Sequence, residues 1–375
     1  MKIAVVSSFP PRKCGVASFT QDLINSLKKL DPSFLFSLYP IEDNQYIYPR
    51  EVKIRIKEEE KDSYLQAAEM INQGEEELVL LQHQFLLFGE EGKLTLPFLQ
   101  SLKKPMITII HTVPYHPTER EREALIQVGR SSAKITVMIG YARKLLVEEY
   151  GVDKEKIKVI YHPFPRLEIL PSQVAKEKLG LPSHSFILST FGLIRREKGL
   201  ENVIKALGLL KDEPQVIYLI LGCIHPFHQK REGSTYLEEL KELSKKLGVR
   251  EKVKFVTHFL SLPELSLYLS ATDIYITPYL SNQQVSSGTL TFALGAGKVV
   301  ISTPYPFAQE VLGRKRGILV EFGDYQSIAR EVRSLLHDVE RKKEIEERVA
   351  RFTRNLNWEN MAKRYYKLIK EVVPC

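Results

Sequence analysis

The 375-residue chain predicts an α/β protein made of two Rossmann-like domains in tandem, facing each other across a cleft. Three observations lead there. Short apolar runs alternate with segments of helical periodicity, which is how parallel strands covered by helices read in sequence. The alternation stops at residues 163–184, PFPRLEILPSQVAKEKLGLPSH, where four prolines interrupt it, and then restarts. Finally, 43% hydrophobic and 27% charged residues over this length is ordinary globular material with room for two cores. The expected organisation is a first domain over 1–165, a second over 166–355, and a C-terminal helix, 356–375, bracing the two.

In the first half the apolar runs are Ile3–Val6, Phe36–Tyr39, Leu78–Leu81, Met106–Ile110, Ile135–Ile139 and Ile157–Tyr161. Helical patterns fall between them at about Phe19–Leu30, Asp62–Asn72 and Tyr141–Tyr150, the last stopped by Gly151. In open parallel sheets ligands bind beyond the C-terminal strand ends, so the residues there are the candidates. After the first strand, Gly15 and Val16 lie in KCGVAS, where the glycine admits close backbone approach and Ser18 can cap the following helix. Later strands end in Gln82-His83-Gln84 and His111-Thr112-Val113. A lone histidine is more often structural than catalytic. Two at successive strand ends of one sheet make this edge a candidate site.

In the second half the runs are Phe186–Thr190, Val216–Leu221, Val253–Val256, Ile274–Thr277, Val299–Ser302 and Ile318–Val320. Helical patterns lie near Leu200–Leu210, Tyr236–Leu247, Pro263–Leu269, Thr289–Leu294 and Tyr325–Leu336, and Trp358–Val373 forms an amphipathic C-terminal helix. Two junctions carry chemistry. The helix start Ser286-Ser287-Gly288-Thr289-Leu290 offers free backbone N–H groups, hydroxyl caps and the positive end of a helix dipole, which suits an anion. The loop Gly192-Leu193-Ile194-Arg195-Arg196-Glu197-Lys198-Gly199 places up to three cations beside a glycine turn, as phosphate oxygens require. No Walker loop or GxGxxG follows the first strand of either half, so a single ATP-type or NAD-type site is not expected.

The net charge of +8 falls entirely after residue 165, because residues 1–165 hold equal numbers of acidic and basic side chains. This surplus fits an anionic ligand or peripheral contact with anionic lipid; nucleic acid is not expected, since no recognition motif accompanies it. Cys14, Cys223 and Cys375 are widely spaced and read as free thiols. His225 and His228 are separated by Pro226, with no carboxylate cluster nearby, so no metal site is expected. With no apolar run of about 20 residues and no leader pattern at the N-terminus, the expected location is the cytoplasm, with contact at the inner face of the membrane open.

Together the stretches SSFPPRKCGVASFTQDL, QHQFLLFG, HTVPYH, FGLIRREKGLENVIKAL, GCIHP and SSGTLTFALGAGKVVISTPYPFAQEVL resemble, in order and spacing, the GT-B retaining glycosyltransferases of the family 4 type. The resemblance implies a nucleoside-diphosphate sugar of the GDP-mannose or UDP-glucose kind in the second domain and a carbohydrate or glycolipid acceptor on the first. It implies no cofactor and no divalent metal. His111, Lys198 and Arg195 would be catalytic. Gly192, Arg196, Gln283, Gln284, Ser286, Ser287, Gly288, Thr289 and Leu290 would hold the donor, and Gly15, Val16, His83 and His225 the acceptor.

The chain departs from the family pattern where relatives carry two glutamates with seven residues between them: Gln284 and Phe292 stand there, and Leu193 occupies a usual arginine position. It therefore resembles a subgroup lacking the paired-glutamate donor motif. Two alternatives stay open: a GT-B phosphorylase acting on sugar 1-phosphate, and a non-catalytic relative that binds a carbohydrate or a partner.

Overall fold

The computed structural model describes residues 1–165, 167–223, 235–282 and 284–374. The chain separates into unit 1, residues 1–163, 283–286 and 356–375, and unit 2, residues 164–282 and 287–355.

Unit 1 runs β1 (Lys2–Ser7), α1 (Gly15–Leu30), β2 (Leu35–Glu42), β3 (Ile56–Lys57), α2 (Lys61–Gln73), β4 (Leu78–His83), α3 (Thr95–Ser101), β5 (Met106–Ile110), α4 (Glu119–Ser131), β6 (Lys134–Val137), α5 (Gly140–Glu148) and β7 (Ile157–Val159). The seven parallel strands are ordered β3-β2-β1-β4-β5-β6-β7, so the order reverses between β1 and β4. Unit 2 runs α6 (Ser172–Lys178), β8 (Phe186–Phe191), α7 (Leu200–Gly208), β9 (Val216–Leu221), α8 (Thr235–Lys246), β10 (Val253–Val256), α9 (Leu262–Ala271), β11 (Ile274–Thr277), α10 (Gly288–Gly295), β12 (Val299–Ser302), α11 (Pro306–Leu312), β13 (Ile318–Leu319), α12 (Tyr325–His337) and α13 (Val339–Thr353). Its six parallel strands are ordered β10-β9-β8-β11-β12-β13, with the reversal between β8 and β11. Two Rossmann-like units are thus present, as the alternation of apolar runs and helices predicts.

The periodicity of each helix accounts for its packing. α1 buries Phe19, Leu23, Ile24 and Leu27, spaced so that they share one face against the sheet. The C-terminal helix α14 (Trp358–Val372) belongs to unit 1 and lies on α1. Trp358 meets Phe19 at 5.1 Å between ring centroids, and Tyr366 stacks on Phe34 at 5.4 Å.

The start of α1 corrects one expectation. The helix begins at Gly15, with the Cys14 sulfur accepting from the Ala17 N–H at 3.4 Å, so Ser18 sits inside the first turn and caps nothing. The sequence does not lead one to expect α3, α6 and α11, each seven residues long, nor α4, α13 and the two-residue β3. α13 buries only Ile345 and Val349. No helix among the described residues is long and apolar enough to cross a membrane.

Candidate functional site

In unit 2 three backbone segments converge at the reversal point. β8 turns at Gly192, whose φ of 133° disfavours any side chain, and a Cβ there would stand 3.2 Å from the Thr289 Cγ2. A one-turn 3-10 helix, Arg196–Lys198, leads to Gly199, where a Cβ would come within 2.2 Å of the Pro278 carbonyl oxygen. The Leu280 N–H donates to the Glu197 carbonyl at 2.9 Å. The loops after β8 and β11 are therefore clamped backbone to backbone.

α10 opens at the same place. Ser287 is its N-cap, with Oγ accepting from the Leu290 N–H at 3.3 Å. As in any helix, the N–H groups of the first turn have no acceptor within it. Nothing lies within 4 Å of where a Cβ on Gly288 would stand, so the helix start is open to a ligand.

Tyr279, to which no sequence motif points, ties these pieces together. The ring is 1% exposed, its hydroxyl is 2.7 Å from the Thr289 Oγ1, and it stacks on Tyr305 at 5.2 Å with 14° between planes. The Lys198 ammonium stands 3.6 Å from the ring centroid. Burial opposes ionisation of this phenol, yet the adjacent Lys198 charge and hydroxyl contacts bring it below its ordinary value. Among the described residues no carboxylate lies within ion-pair distance of Lys198.

The two arginines of the loop differ. Arg195 places its Nε 3.7 Å from Glu197 in the same loop, and that buried nitrogen makes no hydrogen bond. Arg196 forks onto Glu239 of α8 at 2.6 and 2.7 Å and lies over the Tyr236 ring, so in this structure its guanidinium is engaged by a carboxylate. Phe292 packs edge-on against Phe191 at 5.9 Å, filling with an aromatic the place where the family resemblance suggests a glutamate.

In unit 1 the strand ends hold two histidines in different surroundings. His111 is hydrogen-bonded through Nε2 to the Gln82 Oε1 at 2.6 Å and touched edge-on by Phe19 at 5.2 Å; the Ser286 hydroxyl donates to its carbonyl at 3.2 Å. Burial, with lesser contributions from His162 and His83, lowers its pKa to about 3, so the ring is neutral. Gln82 is fully buried and its Nε2 makes no hydrogen bond; the sequence marks it only as a neighbour of His83, because glutamine at a strand end has no signature.

His83 stands in closed surroundings. It is 0% exposed, packed between Phe85 and Phe88, with Nε2 3.4 Å from the Thr95 hydroxyl and Nδ1 buried without a partner. Burial lowers its pKa to about 4. A substrate would have no path to it without opening this aromatic packing.

Gly15 is exposed, with open space where a Cβ would be, and Val16 is half-buried beside it. Gln284 is half-buried in the segment grouped with unit 1. Gln283 and His225 lie outside the described residues. A cavity of about 340 Å³ in unit 2 borders Phe164, Gly295–Gly297 and Arg354 at the opposite end of α10, apart from this constellation. No group of three or more His, Cys, Asp or Glu that could hold a metal ion occurs among the described residues.

Residues 172–352 match the family model for glycosyl transferases group 1, and the match includes both loops and α10. The chain is 22% identical over 259 residues to a D-inositol 3-phosphate glycosyltransferase of Corynebacterium kroppenstedtii, over 66% of this chain and 55% of that protein, so the alignment spans little more than half of the relative's length. Among solved structures it resembles Anabaena HepE in complex with UDP and glucose, with a TM-score of 0.77, 17% identity, and 99% and 100% of the two chains covered. It also resembles the sucrose-phosphate synthase of Thermosynechococcus elongatus, with a TM-score of 0.78, 16% identity, and 99% and 98% covered. The fold is GT-B, and the matched region contains the candidate anion site.

Proposed function

We propose that the protein transfers a hexose from a nucleoside-diphosphate sugar to a carbohydrate or lipid-linked acceptor, with retention of anomeric configuration and without a divalent metal. The observation that carries this reading is the convergence of the open α10 start, the Gly192 turn and Lys198 inside the region that matches the group 1 glycosyl transferase model. HepE, a protein of this fold, is in complex with UDP in one structure and with UDP-glucose in another, which supports a nucleoside-diphosphate sugar as the donor.

The diphosphate gains negative charge as the glycosidic bond to the donor breaks. The first-turn N–H groups of α10 and the Lys198 ammonium would stabilise it, with Arg195 as a second cation. A departing phosphate oxygen on the same face can take the acceptor hydroxyl's proton, so the step needs no protein carboxylate as base. On unit 1 the acceptor contacts are assigned to Gly15 and Val16. Neutral His111, with Nε2 facing Gln82, offers Nδ1 as a hydrogen-bond acceptor for a sugar hydroxyl. With Gln284 and Phe292 at the paired positions, the donor sugar would be held by neutral hydrogen bonds from Gln284 and the backbone, and we infer a subgroup without the two carboxylates. We assign it to the cytoplasm, where nucleotide sugars are met.

The test is a transfer assay with UDP-, GDP- and ADP-hexoses, an acceptor panel and EDTA present, with the product's anomeric configuration read by NMR. Retained configuration in a product formed from a nucleotide sugar supports the proposal. Turnover only of sugar 1-phosphate with free phosphate would assign a phosphorylase, and binding without turnover a non-catalytic relative.

A further inference from the structure

Lys198 is a cation with an unusual partner. Lysine at a protein surface ordinarily meets a carboxylate or water, and a carboxylate would cancel the charge that an anionic ligand needs. Here the ammonium stands over a buried aromatic ring, 3.6 Å from its centroid. A ring face attracts a cation through its quadrupole and leaves the formal charge uncompensated. The contact therefore fixes the ammonium in space while keeping it available to an anion.

The ring itself cannot wander. Its hydroxyl is 2.7 Å from the Thr289 Oγ1, and its carbonyl accepts from the Thr303 hydroxyl at 2.7 Å. Tyr305 stacks on it, and Tyr305 is itself 0% exposed. Thr289 lies in the first turn of α10 and its methyl group faces Gly192. One side chain thus touches the lysine of the first loop and the helix start after the second, two groups that approach a single anion from different segments.

We propose that Tyr279 is the positioning residue of the anion site, its ring face holding Lys198 at a fixed distance from the start of α10 so that the two bind one diphosphate together. This inference rests on the anion-site reading of the preceding subsection. It assigns to a residue with no phosphate chemistry of its own the distance between the two groups that have it.

The experiment uses the full chain and two probes, inorganic pyrophosphate and UDP, titrated by calorimetry into the wild type and the Lys198→Ala, Tyr279→Phe and Tyr279→Leu variants. Phenylalanine keeps the face and loses only the hydroxyl; leucine loses the face. The expected result is that Tyr279→Leu weakens pyrophosphate about tenfold and Tyr279→Phe by no more than about threefold. Adding Tyr279→Leu to Lys198→Ala should cost nothing further, because the ring acts through the lysine. If Lys198→Ala weakens binding and Tyr279→Leu does not, or if the phenylalanine variant loses as much as the leucine variant, the positioning role is overturned while the anion site stands. If neither probe binds the wild type, or Lys198→Ala binds like the wild type, the anion-site reading falls and this inference with it.

Because Tyr279 is buried, its leucine variant is checked against a signature of the unaltered protein. In wild-type protein carrying ¹³C-labelled lysine, the Lys198 ε-methylene signal, assigned by its loss in Lys198→Arg, should be shifted upfield by the ring current of Tyr279. An unshifted signal would show that the ammonium does not sit on the ring and would overturn the proposal whatever the binding data.

Discussion

Replacing His83 by phenylalanine should stabilise unit 1, and more so in acid. His83 is fully enclosed, carries a buried Nδ1 with no partner, and has its pKa lowered by burial from 6.5 to about 4. A buried base with a depressed folded-state pKa contributes no penalty above the unfolded value. As pH falls through 6.5 the unfolded chain takes up a proton that the folded chain refuses, and stability declines until about pH 4. At pH 5 the group lies about 1.5 pH units below 6.5, which at roughly 1.4 kcal/mol per unit amounts to about 2 kcal/mol. His83→Phe removes this term and the orphaned nitrogen. The new ring sits between Phe85 and Phe88, which already pack on the imidazole.

The assay is urea unfolding at pH 8 and pH 5, followed by Trp358 fluorescence. Trp358 is the one tryptophan of the chain, and its contact with Phe19 makes it a reporter of unit 1. The variant should lose about 2 kcal/mol less than the wild type between the two pH values, with the carboxylate contributions common to both cancelling. Equal losses would refute the burial argument. A variant weaker than the wild type at pH 8 by more than about 3 kcal/mol would show that the contact with Thr95 matters more than the buried nitrogen.

Other substitutions separate scaffold from site. Gly288→Ala should leave the urea midpoint unchanged, since its Cβ meets nothing within 4 Å, yet weaken UDP binding measured by calorimetry. Gly222→Ala should destabilise unit 2 by several kcal/mol in a thermal melt, because φ is 135° and the new Cβ would lie 1.9 Å from the Gly192 carbonyl oxygen. Arg196→Ala should change stability by less than about 1 kcal/mol and nucleotide affinity not at all, its forked pair with Glu239 being solvent-exposed. Gln82→Met should leave stability nearly unchanged, because it frees the His111 N–H but also removes an unpartnered amide nitrogen, while transfer activity falls as His111 loses its fixed tautomer.

The fold was legible because its strands are buried on both faces and so appear as short apolar runs. Of the helices that escaped notice, α13 has two buried residues on a charged surface, and α3, α6 and α11 are seven residues long, too short to display a helical period; the capping box Thr118/Glu121 could have announced α4. Within the site, glycine turns and the Ser287 cap were readable because backbone geometry constrains residue type locally. Side-chain direction was not. The sequence shows three cations in one loop with equal standing, and only the position of Glu239 on α8 reveals that Arg196 is engaged elsewhere. The roles of Tyr279 and Gln82 were invisible for the same reason, since each acts through a residue remote in sequence. His83 and His111 look alike at strand ends, and the aromatic packing around His83 tells them apart.

The central claim is that a nucleoside diphosphate binds where Lys198 faces the start of α10. Calorimetric titration of UDP, GDP and ADP into the wild type and Lys198→Ala tests it most directly. At least one nucleotide should bind the wild type and lose at least about tenfold in affinity on loss of the ammonium, the scale of a charge-assisted phosphate contact. Failure of all three to bind, or identical affinities in the two proteins, would contradict it.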